Sequence, residues 1–496
     1  MKNYISILGL VLASTAMQAQ DINDALRYSQ TEPLGTARFR ALSGAFGAVG
    51  GDLSAINLNP ASSVIFNNNH VAFTLSNYNT KNNSDYFGTK SSDSNNSIDL
   101  GQAGGVFVFE NHHESEWKKF ALALNYENQN NFDNSLFISG TNPTNSVDDY
   151  FLNYANGVQL GILQNFNFEE LSFQEQQAYL AYNAFIIDPV TTNQNNTQYT
   201  SAMVPGNFYH ENSVESTGYN GKLAFNASAN YQDKLMIGLN LNSHFSDYVR
   251  NSSFFESNDN NTSTDTYVKR VYFDNSLHTY GNGFSFQLGA ILKLSNQFRV
   301  GATYESPTWH RLTDELMQSV AAVSADNTSE LPADVVDPNL TMVFAPYTIQ
   351  TPGKLTGSAA IIFGKQGFIS VDYSTKDYSS MRLKPENDYT TDNNRIENLF
   401  TRSNELRIGG EYKIEKWSLR GGFRSETSPY KDENMMGDLT GYSAGVGYNF
   451  GGTKLDLAYS TSERDYGYQM FSTGLTDRAN STLKNNNVTV TLSFEL

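Results

Sequence analysis

The chain has 496 residues, of which 39% are hydrophobic and 17% charged, while aromatics reach 13% through 29 Tyr and 32 Phe against 3 Trp. A disordered chain of this polarity would lack the aromatics and carry more charge, and a formal net charge of −18 excludes the basic face that nucleic acid requires. With no cysteine, a disulfide scaffold, a thiolate metal site, a cysteine nucleophile and a lipid-anchored N-terminal Cys are excluded as well.

In chain order, Met1–Ala19 reads as a secretory signal peptide. Lys2 gives the positive start, Ile5–Ala13 the apolar stretch, and small residues follow. Residues 20–69 do not alternate and are rich in glycine, with Gly35, Gly44, Gly47, Gly50 and Gly51. From residue 70 the hydrophobic period is two almost everywhere. Leu235, Ile237, Leu239 and Leu241 alternate with small or polar residues, as do Phe284, Phe286, Leu288 and Leu292, and then Val488, Val490, Leu492, Phe494 and Leu496. No apolar run after the signal approaches the ~20 residues of a transmembrane helix. Alternation alone fits a soluble sheet or a membrane barrel.

The connections separate the two. Short joins at 111–118, 230–234, 295–297, 364–367, 414–416 and 451–453 alternate with long Asn/Asp/Ser-rich stretches, the longest about 129–217. Short turns on one side and long loops on the other are the asymmetry of periplasmic turns against extracellular loops. One strand at 70–79 and one at 484–496 bring the total to fourteen, and an even number leaves both ends on the short-turn side. The fold class is all-β: a transmembrane 14-stranded antiparallel β-barrel over residues 70–496. Asp265–Tyr280 also alternates and is assigned to an extracellular hairpin extension, because another spanning strand breaks the parity. Val488–Leu496, the last strand, reads as the signal recognised by the barrel-assembly machinery.

Two loop segments read as helices. Ser172-Phe173-Gln174-Glu175 is a capping box, continued by Ala178, Leu180, Ala181, Ala184 and Phe185. Thr313 opens the other, with Leu316, Met317, Val320 and Ala321 on one face. Such a pair would build an apolar cradle at the mouth, or each helix would shelter its own loop.

The segment ahead of the barrel carries Gly35-Thr36-Ala37-Arg38-Phe39, Gly44-Ala45-Phe46-Gly47-Ala48 and Asn59-Pro60-Ala61. In these residues the chain resembles the FadL/TodX family of outer-membrane transporters for long-chain fatty acids and other hydrophobic compounds, particularly members in Bacteroidetes-like bacteria. The resemblance implies that residues 20–69 form a hatch plugging the lumen, with Asn59, Pro60, Ala61, Gly44 and Gly47 as its motif. It implies passive, non-enzymatic uptake of a hydrophobic small molecule without a cofactor, in a Gram-negative outer membrane where the wall meets lipid and lipopolysaccharide. Three departures stand out. The chain ends in Leu496 rather than an aromatic, its largest loop follows the third strand, and Lys119–Asn128 has no Gly or Pro to mark that family's kinked third strand. A FadL-like barrel also serves as a shuttle subunit in the type IX secretion system, so a protein-binding role is the alternative.

No nucleophile motif, phosphate loop or metal spacing stands out. The His112-His113 pair falls in a periplasmic turn, as a solvated pair or as ligands to a haem iron. With the apolar face outward, Arg299, Glu305, Glu405, Arg407, Glu411, Arg420, Arg424 and Lys222 point into the lumen. Arg299, Arg407, Arg420, Arg424 and Lys222 are therefore candidates to receive a substrate carboxylate or to tie the wall to the plug.

Overall fold

A computed structural model describes residues 22–260, 266–326 and 329–496; the signal-peptide reading lies outside them. Fourteen antiparallel strands close into one barrel. They are β1 (His70–Tyr86), β2 (Thr89–Glu110), β3 (Trp117–Asn131), β4 (Phe208–Tyr231), β5 (Leu235–Ser257), β6 (Thr266–Lys293) and β7 (Phe298–Glu305). The second half is β8 (Lys354–Ile362), β9 (Gly367–Asp377), β10 (Arg402–Ile414), β11 (Trp417–Glu426), β12 (Met436–Asn449), β13 (Thr453–Gln469) and β14 (Arg478–Glu495). β1 pairs with β14, with Phe73 opposite Leu492 and Leu75 opposite Val490, so the sheet has no free edge at closure.

The alternation sorts as lipid outside and polar groups inside. Phe73, Leu122, Leu124, Phe225, Leu241, Leu288 and Leu492 are exposed on the outer face, whereas Gln102, Asn125, Asn226, Asn240, Thr489 and Thr491 are buried within. Among the described residues no helix is long and apolar enough to cross a membrane. The strands make the crossing.

β4, β5 and β6 run for 24, 23 and 28 residues, far beyond the ~10 that span a bilayer. Their upper halves stand above the membrane as a collar. Thr266–Tyr280 is the upper part of β6, paired with β5 on one side and with Trp309–Asp326 on the other. It extends a hairpin and adds no crossing.

The helix expected from Thr313 does not form. Trp309–Asp326 is a strand whose Leu312, Leu316, Val320 and Ala322 face inward. A spacing of four satisfies a period of two as well as a helical turn, and pairing along the whole length of upper β6 decides for the strand. The wall bulges just below it. Glu305 lies opposite Gln287 and Trp309 opposite Phe284, so Ser306, Pro307 and Thr308 face two residues of β6.

Three layers fill the interior. The lowest is the hatch, with helices α2 (Ala37–Arg40) and α3 (Leu53–Leu58) and a 3₁₀ turn at Pro60–Ile65. Leu53, Ile56 and Val64 pack against Ala121, Met236 and Ile291 of the wall, and Phe46 against Phe368. Above it α1 (Ile22–Ser29) buries Ile22, Ala25, Leu26 and Tyr28 among Phe132, Tyr248, Leu312, Tyr347 and Phe400. At the top, residues 143–207 form a cap with helices α4 (Asp148–Ala155), α5 (Leu160–Asn165) and α6 (Phe173–Asn183). The capping box at Ser172 and Glu175 forms in both directions and opens α6. Phe185 lies beyond the end of that helix, at a positive φ and exposed.

Candidate functional site

The hatch motif sits against bare wall. Asn59 Oδ1 accepts from the Ala61 N–H at 3.1 Å, and its Nδ2 donates to Gly47 O at 2.7 Å and Ala290 O at 3.2 Å. Pro60 fixes φ at the first position of the 3₁₀ turn that Asn59 caps. The wall opposite is glycine. A Cβ on Gly289 would lie 2.1 Å from Asn59 Oδ1, and one on Gly238 2.3 Å from the Pro60 carbonyl carbon. The Phe46 and Gly47 N–H groups donate to buried Asp372 at 2.9 and 3.0 Å. Gly44 adopts φ +78° where a Cβ would meet Arg407 at 2.9 Å.

Most of the lumenal cations are already engaged. Arg299 donates to Val49 O of the hatch at 3.0 Å. Arg407 grips Glu405 through two bonds of 2.7 and 2.8 Å. Arg424 donates to Glu405 and Glu426 and reaches Thr31 O in the hatch. Arg420 bonds Glu411 Oε2 at 2.7 Å and Asp456 at 2.5 Å, while Arg38 of the hatch donates to both Glu411 oxygens, to the same Oε2 at 2.7 Å and to Oε1 at 3.1 Å. These four arginines belong to networks that hold the hatch in the wall.

Lys222 differs. It is 2% exposed and has no ion pair or hydrogen bond among the described residues. Cross-strand pairing sets it in one inward row, Glu127, Lys222, His244, Gly283 and His310, running from β3 through β4, β5 and β6 to the strand above the bulge. The two imidazoles meet edge to face at 5.4 Å, and Tyr28 of α1 lies 5.4 Å from His310. His244 Nδ1, His310 Nδ1, Tyr28 OH and Asn242 Oδ1 are buried without a hydrogen-bond partner among the described residues. Buried polar atoms are ordinarily satisfied. Here four such atoms lie together beside a buried cation, and the aromatic layer around α1 adjoins them. Sequence reasoning picked Lys222 and missed His244, His310 and Tyr28, because only the register of five separate segments places them together.

The wall itself opens at one seam. The ladder between β2 and β3 stops at Gln102 opposite Glu127. Above that, β2 pairs with β1, while β3 and its continuation Asn134–Asn142 pair with β4. Side chains lace the two edges: Asn128 to Asp99 at 2.6 Å, Asn131 to Ser97 at 3.2 Å, Ser91 to Phe137 O at 2.8 Å. The third strand thus departs from its neighbour without a Gly or Pro, through a register shift at Asn128–Asn130. His112 and His113 lie exposed in the β2–β3 turn. Among the described residues no group of three His, Cys, Asp or Glu side chains is placed to hold a metal.

The family model "Outer membrane protein transport protein (OMPP1/FadL/TodX)" matches residues 184–493. No curated protein matches the chain. Among solved structures, a FadL homologue of Pseudomonas aeruginosa aligns with a TM-score of 0.53 at 13% identity, covering 94% of this chain and 99% of that one. The toluene transporter TodX of Pseudomonas putida aligns with a TM-score of 0.52 at 14% identity, over 94% and 100%. At these identities the likeness is one of fold.

Proposed function

The chain belongs to the OMPP1/FadL/TodX family of outer-membrane transport proteins, and from that premise we propose that it takes up a hydrophobic small molecule bearing a polar, carboxylate-type head, such as a long-chain fatty acid. The observation that carries this reading is Lys222, a buried cation without an ion pair or hydrogen bond among the described residues, set opposite the Glu127 carboxylate and in a row with two imidazoles whose Nδ1 atoms are unpaired. A bare hydrocarbon would leave all of these groups unsatisfied, at a cost of about 1–3 kcal/mol each. A carboxylate would satisfy Lys222 and accept from a neighbouring imidazole. The tail gains ~0.8 kcal/mol per buried CH₂, and the Tyr248, Leu312 and Tyr347 layer adjoins the row to receive it. The other four cations serve the hatch, and the Asn59-Pro60-Ala61 turn is the point at which the hatch is seated. The wall is bathed in lipid and lipopolysaccharide.

The test is equilibrium binding of hexadecanoate and hexadecanol to the purified protein in detergent. Lys222→Met should weaken the acid by about tenfold to a hundredfold, the loss of a hydrogen bond to a charged group, and leave the alcohol nearly unchanged. Equal effects on both ligands would remove Lys222 from the site.

A further inference from the structure

The cap is built to leave the mouth as a unit. It departs after Asn142 and returns at Phe208, and these two residues are paired across β3's continuation and β4. A two-stranded stalk therefore carries residues 143–207, whose last residues also bridge β6 through Met203 and Val268. The cap has its own interior, in which Phe151, Leu163, Phe168, Ala181 and Ile186 are buried together. Burial pushes the Tyr150 phenol well above its ordinary pKa, so it stays protonated and donates to Gln177 within the cap at 3.1 Å.

The cap seats on inward-facing residues of the collar: Phe254 of β5, Phe273 of β6, Val320, and Phe471 in the loop after β13. It fills the mouth from inside like a stopper. With the hatch beneath, the row around Lys222 lies between two plugs.

The end of the cap is tied by backbone to β6, where Val268 N–H donates to Ala202 O at 3.0 Å, and by Asn260, which donates to Val204 O and Asn207 O at 3.0 and 3.2 Å; elsewhere the fastenings are few and specific. The fully buried Glu256 carboxylate of β5 accepts from Ser146 Oγ at 2.6 Å and the Val147 N–H at 2.8 Å, where the cap begins. His210 holds that carboxylate from the wall side at 2.9 Å and is itself bonded to Tyr86 OH at 3.1 Å. A second tie, Gln177 Nε2 to Gln318 Oε1 at 2.7 Å, joins α6 to the collar. Asn145 donates to Asp477 at 2.7 Å.

We propose that residues 143–207 are a hinged lid over the Lys222 row, swinging on the Asn142–Phe208 stalk, with Glu256 and the Ser146–Val147 turn as its latch. A segment that moves as a body needs local stability well below that of the wall. A handful of polar ties to a preformed socket meets that need better than a continuous ladder. Displacing the lid exposes the aromatic collar to the outside and opens the way down to the row.

The protein has no cysteine, so thiol chemistry reports only on introduced sites. In Q177C/Q318C, a short bis-methanethiosulfonate linker that reductant cleaves should lock the lid. Hexadecanoate uptake per surface molecule should fall at least about tenfold and return on reduction. Asn212 of β4 is buried at the level of the collar where the cap seats, opposite Phe254. The thiol of N212C should react with a membrane-impermeant reagent on whole cells at least about tenfold faster when Glu256→Ala or Ser146→Ala is added. Unchanged uptake in the locked protein overturns the lid. So does a locked protein whose N212C thiol reacts as fast as the unlocked one. If the unlocked protein takes up no hexadecanoate, the transport reading fails, and the labelling rates alone decide the lid.

Discussion

Hydrogen atoms in place of side chains fix where the hatch rests. Gly238 and Gly289 let the Asn59-Pro60-Ala61 backbone lie on the backbone of the wall, and the motif and its floor act as one contact. The motif was legible in the sequence as a turn, since Asn-Pro reads that way anywhere. Its floor was not, because nothing local marks one glycine among the 37 as facing residue 60. Lys222 was equally visible as an inward charge, yet its distinction from Arg299, Arg407, Arg420 and Arg424 is a matter of partners, which the alternation of one strand does not contain. If the hatch must be seated here to respond to cargo, Asn59→Ala and Pro60→Gly should lower uptake per assembled molecule while heat-modifiability of the barrel persists. Gly289→Ala should do the same from the wall side, since its added Cβ would lie 2.1 Å from Asn59, an overpacking worth about 1–3 kcal/mol. Gly357→Ala, with nothing within 4 Å of the new carbon, should leave uptake unchanged. Measuring surface level and uptake on the same cells checks the set. Loss of surface protein with normal uptake per molecule would make the motif a folding turn only.

The elements were read with uneven success, and the reason is physical. Short turns such as Ser295–Gln297 and Gly451–Thr453 announce themselves by composition, so the strand count followed from sequence. The part of strand Trp309–Asp326 from Thr313 was read as a helix on Leu316, Met317, Val320 and Ala321, and the step of four from Leu316 to Val320 is shared by both periods. The cap helices α4 and α5 went unread, as did α7 (Thr390–Leu399) in a later extracellular loop, being short and largely polar. The last strand is the element whose role is simplest to test. Deleting Phe494–Leu496 removes the pairs Val71 with Phe494 and His70 with Glu495, the Lys454–Glu495 ion pair and the bond from Leu496 N–H to Asn69 O. Closure of the sheet would then begin two residues late against β1 and one residue late against β13. We expect the truncated chain to stay periplasmic and be degraded, read as loss of surface protein by outer-membrane fractionation. Normal assembly would mean that the outward Val488, Val490 and Leu492 suffice as the assembly signal.

On the scale of the whole molecule, a closed wall encloses three independently packed layers, and the energetics of wall and hatch meet at buried charge. Glu411 is the clearest junction: it takes Arg38 from the hatch and Arg420 from β11, and Arg420 passes on to Asp456 of β13. Such an arrangement is costly to assemble, since each ion loses its water, and breaking it by removing one partner costs about 3–5 kcal/mol because the remaining charges stay buried. Glu411→Ala leaves Arg38 with the Gly51 carbonyl and Arg420 with Asp456. The wall retains its strand ladders on both sides of β10, whereas the hatch loses its only ion pair to the wall among the described residues. The penalty should therefore fall on the hatch. We expect amide exchange in α2, α3 and the Pro60–Ile65 turn to quicken by about a hundredfold or more, the equivalent of about 3 kcal/mol, with the strand amides of β1 to β14 unchanged. The double variant Arg38→Met, Glu411→Met should recover much of the protection, because an apolar pair of similar volume leaves no charge unpaired on the hatch side. Exchange rising equally in hatch and strands would show that the two unfold as one unit, and a plug that yields to cargo while the wall stands would then have no basis in the energetics.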